Sequence, residues 1–286
     1  MESEIKYYQE SKNISLKGLV ISYGAYLLLA LVFAYFYAVF STFMPDVYLS
    51  FFITVGLGLL LGISIRFIVR IGSNRNKKSQ LIQAFIFGLL TNYFQWVFYL
   101  LYVFNNTVPK PYEYLANLHW ILMPNSFFSA IAEINHYGAW SIFGIQMNGL
   151  QLTIIWIIEA LIIIVLPMVA IFKTKVYPYS EYLGKWYQKF TIDIDYRSIS
   201  SIALFSKELY DDAYAAIEGL DFGDGYRHSK IHIFYLKDED TQYITCENIF
   251  IEGRGRGKVH PTIVINNLAI EKQMADAILK NIKHDS

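Results

Sequence analysis

Charge-free stretches organise the N-terminal part of the chain. No charged residue occurs from Gly18 to Met44, from Val47 to Ile65 or from Leu81 to Phe104, and Gly149 to Phe172 carries only Glu159. A hydrocarbon core about 30 Å thick is crossed by about 20 helical residues at about 1.5 Å each, a length every one of these stretches reaches. They predict membrane-spanning helices over residues 18–43, 47–70, 80–104 and 149–172. The first is too long, and lacks the small-residue cleavage pattern, to be a removable signal peptide.

Between the third and fourth spans, residues 105–148 are too apolar for a simple solvated connection, with Trp120, Ile121, Leu122, Met123, Phe127, Phe128, Ile131 and Ile134 crowding the middle. This run is shorter than a span and is broken by Pro124 and Glu133, so it is expected either to lie at the membrane interface or to re-enter the bilayer.

The pattern becomes that of a water-soluble protein from Thr191 onward. Thr191 to Asp195 alternates as a half-buried strand does. Ile202, Phe205, Leu209, Ala213 and Ile217 recur at helical spacing between a serine cap at Ser200 or Ser201 and Gly219. Lys230 to Leu236 and Gln242 to Ile251 read as a hairpin around Lys237-Asp238-Glu239-Asp240, and Thr262 to Ile265 as a third strand. A last helix is predicted from about Asn266 or Asn267, with Ile270, Met274, Ile278 and Ile282 as its apolar stripe. The expected fold is thus an α-helical transmembrane bundle of about four spans over residues 18–176, preceded by a short cytoplasmic segment, residues 1–17, and followed by a small α+β cytoplasmic domain, residues 177–286.

Charge gives the orientation. Arg66, Arg70, Arg75, Lys77 and Lys78 join the second and third spans without an acid, which assigns that loop to the cytoplasm and with it both termini. Composition agrees with a lipid-embedded chain, at 55% hydrophobic and only 17% charged residues. An ordinary soluble domain carries about a quarter charged residues. The formal net charge of zero offers no electrostatic footprint for nucleic acid. A single cysteine, Cys246, excludes an intramolecular disulfide and a cysteine-based zinc cluster.

Glu159 is the one acid deep inside a predicted span, and such a carboxyl must face protein or water. Counted from the outer helix ends it lies about ten residues down, with Gln95 about nine and Asn92 about twelve down the third span, so the common rise sets the three at similar depth. Glu159, Gln95 and Asn92 are therefore the expected intramembrane polar site, serving either cation handling or helix adhesion. Gly58 and Gly62 have the spacing of a close helix contact. In the aqueous half, Arg254, Arg256 and Lys258 within Gly253-Arg254-Gly255-Arg256-Gly257-Lys258 are a possible contact for an anion or lipid headgroup, although the Walker spacing is missing. His119, Glu133 and His136 lack the spacing of a metal-binding helix, and Asp221-Phe222-Gly223 has no accompanying kinase motif. No catalytic residue, metal ligand or cofactor is assigned.

Three fragments, Gly138-Ala139-Trp140-Ser141, Trp156 with Glu159 and Ala160, and Pro178-Tyr179-Ser180-Glu181-Tyr182-Leu183-Gly184-Lys185-Trp186, resemble a group of uncharacterised bacterial multi-span proteins with a cytoplasmic C-terminal domain. In that group the last fragment is half of a zinc knuckle. Ser180 and Leu183 stand here in the cysteine places, so zinc is not carried over. The resemblance implies an architecture and a bacterial cytoplasmic (inner) membrane, and no activity.

The expected function is that of a non-enzymatic sensor or assembly subunit whose cytoplasmic domain binds a ligand or protein partner. The expected partners are the lipid bilayer and a homo-oligomer or membrane-complex subunit. The alternative is a small channel, transporter or membrane-permeabilising effector built around Glu159.

Overall fold

The computed structural model describes residues 5–11, 13–43, 46–105, 123–175, 177–252 and 257–282. The chain forms two compact units, one of Ser11–Lys175 and one of Met1–Glu10 with Val176–Ser286.

The first unit is helical: α1 (Leu16–Phe43), α2 (Val47–Ile71), α3 (Lys77–Asn105), α4 (Pro124–Tyr137) and α5 (Gly149–Phe172), with a two-stranded hairpin of β1 (Ser141–Ile142) and β2 (Ile145–Gln146) between the last two. Among the described residues four helices, α1, α2, α3 and α5, are long and apolar enough to cross a membrane. Their sidedness is inverted relative to a soluble bundle. The buried stripe of α1 is Gly18, Ser22, Tyr26, Ala30, Ala34, Tyr37, Ala38 and Ser41, while Leu28, Phe36, Phe52, Leu59, Ile63, Phe67, Leu150 and Leu161 are exposed. Small residues let helix backbones approach, and the large apolar ones are left on the outside, a sidedness compatible with membrane-spanning helices.

Helix ends follow local chemistry. Asp46 caps α2, its carboxylate accepting from Tyr48 N at 2.9 Å and Leu49 N at 3.1 Å. The last carbonyls of α5 are met by cations, with Arg66 Nε donating to Ala170 O at 2.9 Å and Lys77 Nζ to Ile171 O at 2.6 Å and Thr174 O at 3.0 Å. Glycines set the seams. A Cβ built on Gly58 would stand 2.7 Å from Leu166 Cδ1 and one on Gly62 2.9 Å from Ala170 Cβ, so this pair seats α2 on α5 within the chain. Gly88 does the same for α3, where a Cβ would meet Ile164 Cα at 2.8 Å and Ile163 O at 3.0 Å. Pro167 lies inside α5. It has no N–H for the carbonyl four residues earlier, which is that of Ile163, and Gly88 closes over this freed acceptor.

Of the long connection, residues 106–122 lie outside the described residues, among them His119 and Trp120. Helix α4 buries Phe127, Ala130 and Ile134 against the bundle core. The β1–β2 turn has φ +51° at Phe143 and +78° at Gly144, the paired positive values that a two-residue hairpin loop needs.

The second unit has a small hairpin of β3 (Tyr179–Ser180) and β4 (Lys185–Trp186), then β5 (Gln188–Thr191), α6 (Ile202–Glu218), β6 (Arg227–Tyr235), β7 (Thr241–Glu252), β8 (Lys258–Glu271) and α7 (Lys272–Ile282). The sheet is antiparallel in the order β5-β6-β7-β8. Ile231, Ile233, Ile244, Cys246, Ile265 and Leu268 form a core with Phe205, Leu209, Ala213 and Ile217 of α6 and Ala275 and Ile278 of α7. Helix α6 is kinked at Asp212 (φ −152°, ψ 93°), whose carboxylate accepts from Ala215 N at 3.0 Å and so caps the second half.

Three elements differ from the sequence reading. The last helix begins at Lys272 rather than at Asn266 or Asn267, and the third strand runs over Lys258–Glu271. Pairing along β7, from Glu252↔Lys258 to Thr241↔Glu271, holds this segment extended. Asn267 takes φ +53° and is pinned there by Thr245, which accepts from Asn267 N at 2.9 Å and donates to Asn267 Oδ1 at 2.9 Å. The asparagines that read as a helix start thus mark an irregularity in a strand. The strand predicted from Thr191 ends there instead, although Ile192 N still donates to Ile231 O at 3.0 Å. Finally, residues 6–8 join the sheet: Tyr7 bridges Leu268, Tyr8 N donates to Asn267 O at 2.8 Å and Ala269 N to Lys6 O at 2.8 Å.

Candidate functional site

Glu159 lies in the middle of α5 at 7% exposure, and three hydroxyls converge on its Oε1. Ser50 Oγ donates at 2.9 Å, Tyr37 OH at 3.0 Å, and Thr54 Oγ1 stands at 3.2 Å. Thr54 also lies 2.8 Å from Tyr37 OH and 2.8 Å from Ser50 O. Three helices therefore meet at one carboxyl oxygen: Tyr37 comes from α1, Ser50 and Thr54 from successive turns of α2, and Glu159 from α5. The three hydroxyl residues are buried.

The members differ from those that depth along the helices selects. Gln95 is buried and Asn92 half-buried on α3, and neither hydrogen bonds to Glu159. At this level the α3–α5 seam is filled by Trp96 and Trp156, edge to face at 4.7 Å between ring centroids. Glu159, three residues on from Trp156 and about 100° further round per residue, turns toward α1 and α2. Depth fixes the level of a side chain and rotation fixes its neighbours. The signal that sequence reading passed over is the spacing of Asp46, Ser50 and Thr54, three oxygen-bearing side chains four residues apart on one face of α2.

A second polar contact links Tyr26 of α1 to Gln83 of α3, hydroxyl to Oε1 at 3.1 Å. Both residues are wholly buried.

In the second unit, Lys258 is exposed at the start of β8 and Arg254 and Arg256 lie outside the described residues. His232 is held by Glu247 at 3.1 Å and Thr191 at 3.0 Å, whereas His228 faces Asp195 at 3.6 Å, so the two histidines serve different carboxylates. Lys230 Nζ meets Asp195 at 2.6 Å, and that carboxylate raises the affinity of the amine for its proton. At the β3–β4 turn Ser180 Oγ accepts from Leu183 N at 2.9 Å and donates to Glu239, which ties the turn to the main hairpin. Burial pushes the Cys246 thiol up to about 12. A thiol reagent at pH 8 is accordingly expected to leave folded protein unlabelled and to label one site per chain in denaturant; labelling at equal rates in both conditions would contradict the position of Cys246 in the sheet core.

A groove of about 450 Å³ opens between α6, α7 and the segment after β5, lined by Ile194, Tyr214, Ile217, Leu220, Phe222 and Ile278. That volume is within the range of small-molecule sites.

In comparisons with known proteins, no family model, no curated protein and no solved structure matches this chain.

Proposed function

We propose that this chain is a multi-pass protein of the bacterial cytoplasmic membrane, acting as a non-enzymatic sensor or assembly subunit in which the C-terminal α+β domain recognises a ligand or protein partner and the four-helix bundle anchors it and responds. The observation that carries the reading is the pairing of residues 6–8 with β8. It closes the aqueous domain with both ends of the bundle, so the domain is joined to α1 through the segment after Tyr8 and to α5 through the segment before Tyr179. A change at the β8 edge then has a short covalent route into α1. Termini that share one compartment fit an even number of spans, and the acid-free loop of Arg66, Arg70, Arg75, Lys77 and Lys78 supports reading that compartment as the cytoplasm.

Purification of the full-length protein in mild detergent is expected to return a defined homo-oligomer or a stoichiometric second chain; a lone monomer would remove the assembly reading. Tyr8→Pro, which deletes the N–H that donates to Asn267, is expected to open a new protease cleavage between residues 5 and 15 while the protein stays in the membrane fraction. An unchanged cleavage pattern would show that the terminal strand does not couple domain and bundle.

A further inference from the structure

We propose that the Glu159 cluster is an intramembrane binding site for a single monovalent cation, Na⁺ in competition with H⁺. The chemistry of the partners is the first ground. A carboxylate kept permanently charged in an apolar interior needs a fixed cation beside it, and among the described residues Glu159 has none. Here every partner is a hydroxyl, and a hydroxyl donates or accepts as its proton rotates. Thr54 shows the alternatives, since its one proton serves Ser50 O at 2.8 Å, Tyr37 OH at 2.8 Å or Glu159 Oε1 at 3.2 Å. With that proton on Ser50 O, the Thr54 lone pairs face the cluster, and the site accommodates a bare carboxylate, a carboxyl or a carboxylate with a bound ion.

Charge is the second ground. Glu159 is the one acid inside the four charge-poor stretches. A single positive charge leaves the pair neutral, whereas a divalent ion would leave an uncompensated charge in hydrocarbon. The donors are all oxygen, the set preferred by hard cations. Among the described residues Glu159 Oε2 accepts no hydrogen bond. Ser41, one turn beyond Tyr37 on the buried stripe of α1, has a buried hydroxyl with no hydrogen-bond partner among the described residues. Asp46, Ser50 and Thr54 form the polar ladder from the start of α2 to Glu159. The titratable groups that face the carboxyl are Tyr37 from α1 and Tyr99 from α3, with Asp46 at the head of α2.

The test is infrared difference spectroscopy on the full-length protein in lipid, titrated first with acid and then with NaCl against choline chloride at constant pH and ionic strength. A protonated-carboxyl C=O band is expected to rise on acidification, to be lost in Glu159→Gln, and to be suppressed by Na⁺ but not by choline. Thr54→Val, which keeps the volume and removes one oxygen, is expected to weaken the Na⁺ effect by at least about tenfold, the worth of one hydrogen bond to a charged group. Should Glu159→Gln not fold, Ser50→Ala, which removes one donor from this carboxyl alone, is expected to shift the same band and so assigns it. A band that follows pH and ignores Na⁺ overturns the Na⁺ assignment. A Glu159 carboxyl that answers neither titration overturns the whole proposal and leaves the cluster as a static clamp between helices.

Discussion

Replacing Gly88 by leucine is expected to split the α3–α5 seam and to cost at least about 3 kcal/mol of bundle stability, the upper part of the range for overpacking. The new Cβ would stand 2.8 Å from Ile164 Cα and 3.0 Å from Ile163 O. Both obstacles are backbone, so no side-chain rotation relieves the clash and the helices must separate. Separation also uncovers the Ile163 carbonyl, which Pro167 leaves without an intrahelical donor. Gly56→Leu is the matched control, because nothing lies within 4 Å of a Cβ at Gly56. Thermal unfolding in detergent, followed by gel filtration, should show a large loss for the Gly88 variant and little change for the control. Equal behaviour of the two would contradict the packing of α3 on α5.

Leu209→Ala should have the second large effect, destabilising the C-terminal α+β unit by about 2–5 kcal/mol. Leu209 is wholly buried and packs from α6 into the core formed with β6, β7 and β8. Removing its branched end leaves a cavity between a helix and a sheet, two rigid surfaces that collapse poorly onto a void. The unit has its own core, so the damage is expected to stay local. Limited proteolysis should attack residues after Tyr179 in the variant, while the bundle keeps its resistance and its detergent elution volume. Simultaneous loss of both units would show that they fold as one. Exposed Leu204 provides the contrast, since Leu204→Ala removes a side chain from solvent and should fall within about 0.5 kcal/mol of the parent.

Legibility in the sequence tracks the range of the physics involved. The four long helices and the α6 stripe of Phe205, Leu209, Ala213 and Ile217 depend on the chain's immediate neighbours, and their outlines are readable from spacing and charge. The third strand was legible at Thr262 to Ile265 but not its continuation to Glu271, because Asn266 and Asn267 have the local chemistry of a helix start. The strand runs through them because residues on either side pair with β7 and Thr245 holds Asn267 at the irregularity between, partners distant in sequence. The same holds for Lys6, Tyr7 and Tyr8, which are three ordinary polar and aromatic residues until β8 offers them an edge.

The site divides in the same way. A lone carboxyl in an apolar helix announces itself, because hydrocarbon penalises it wherever it points. Its partners were misjudged when depth alone was used, since Gln95 matches Glu159 in level but Trp96 and Trp156 occupy the seam between their helices. The sequence by itself determined that four stretches are long and apolar enough to cross a membrane, where one helix stops, and that Glu159 needs company, because length, charge and capping act over a few residues. Only the tertiary structure decided which faces meet, that Tyr37, Ser50 and Thr54 supply that company, and that residues 6–8 join β8, because helix rotation and strand pairing are settled by surfaces far apart along the chain.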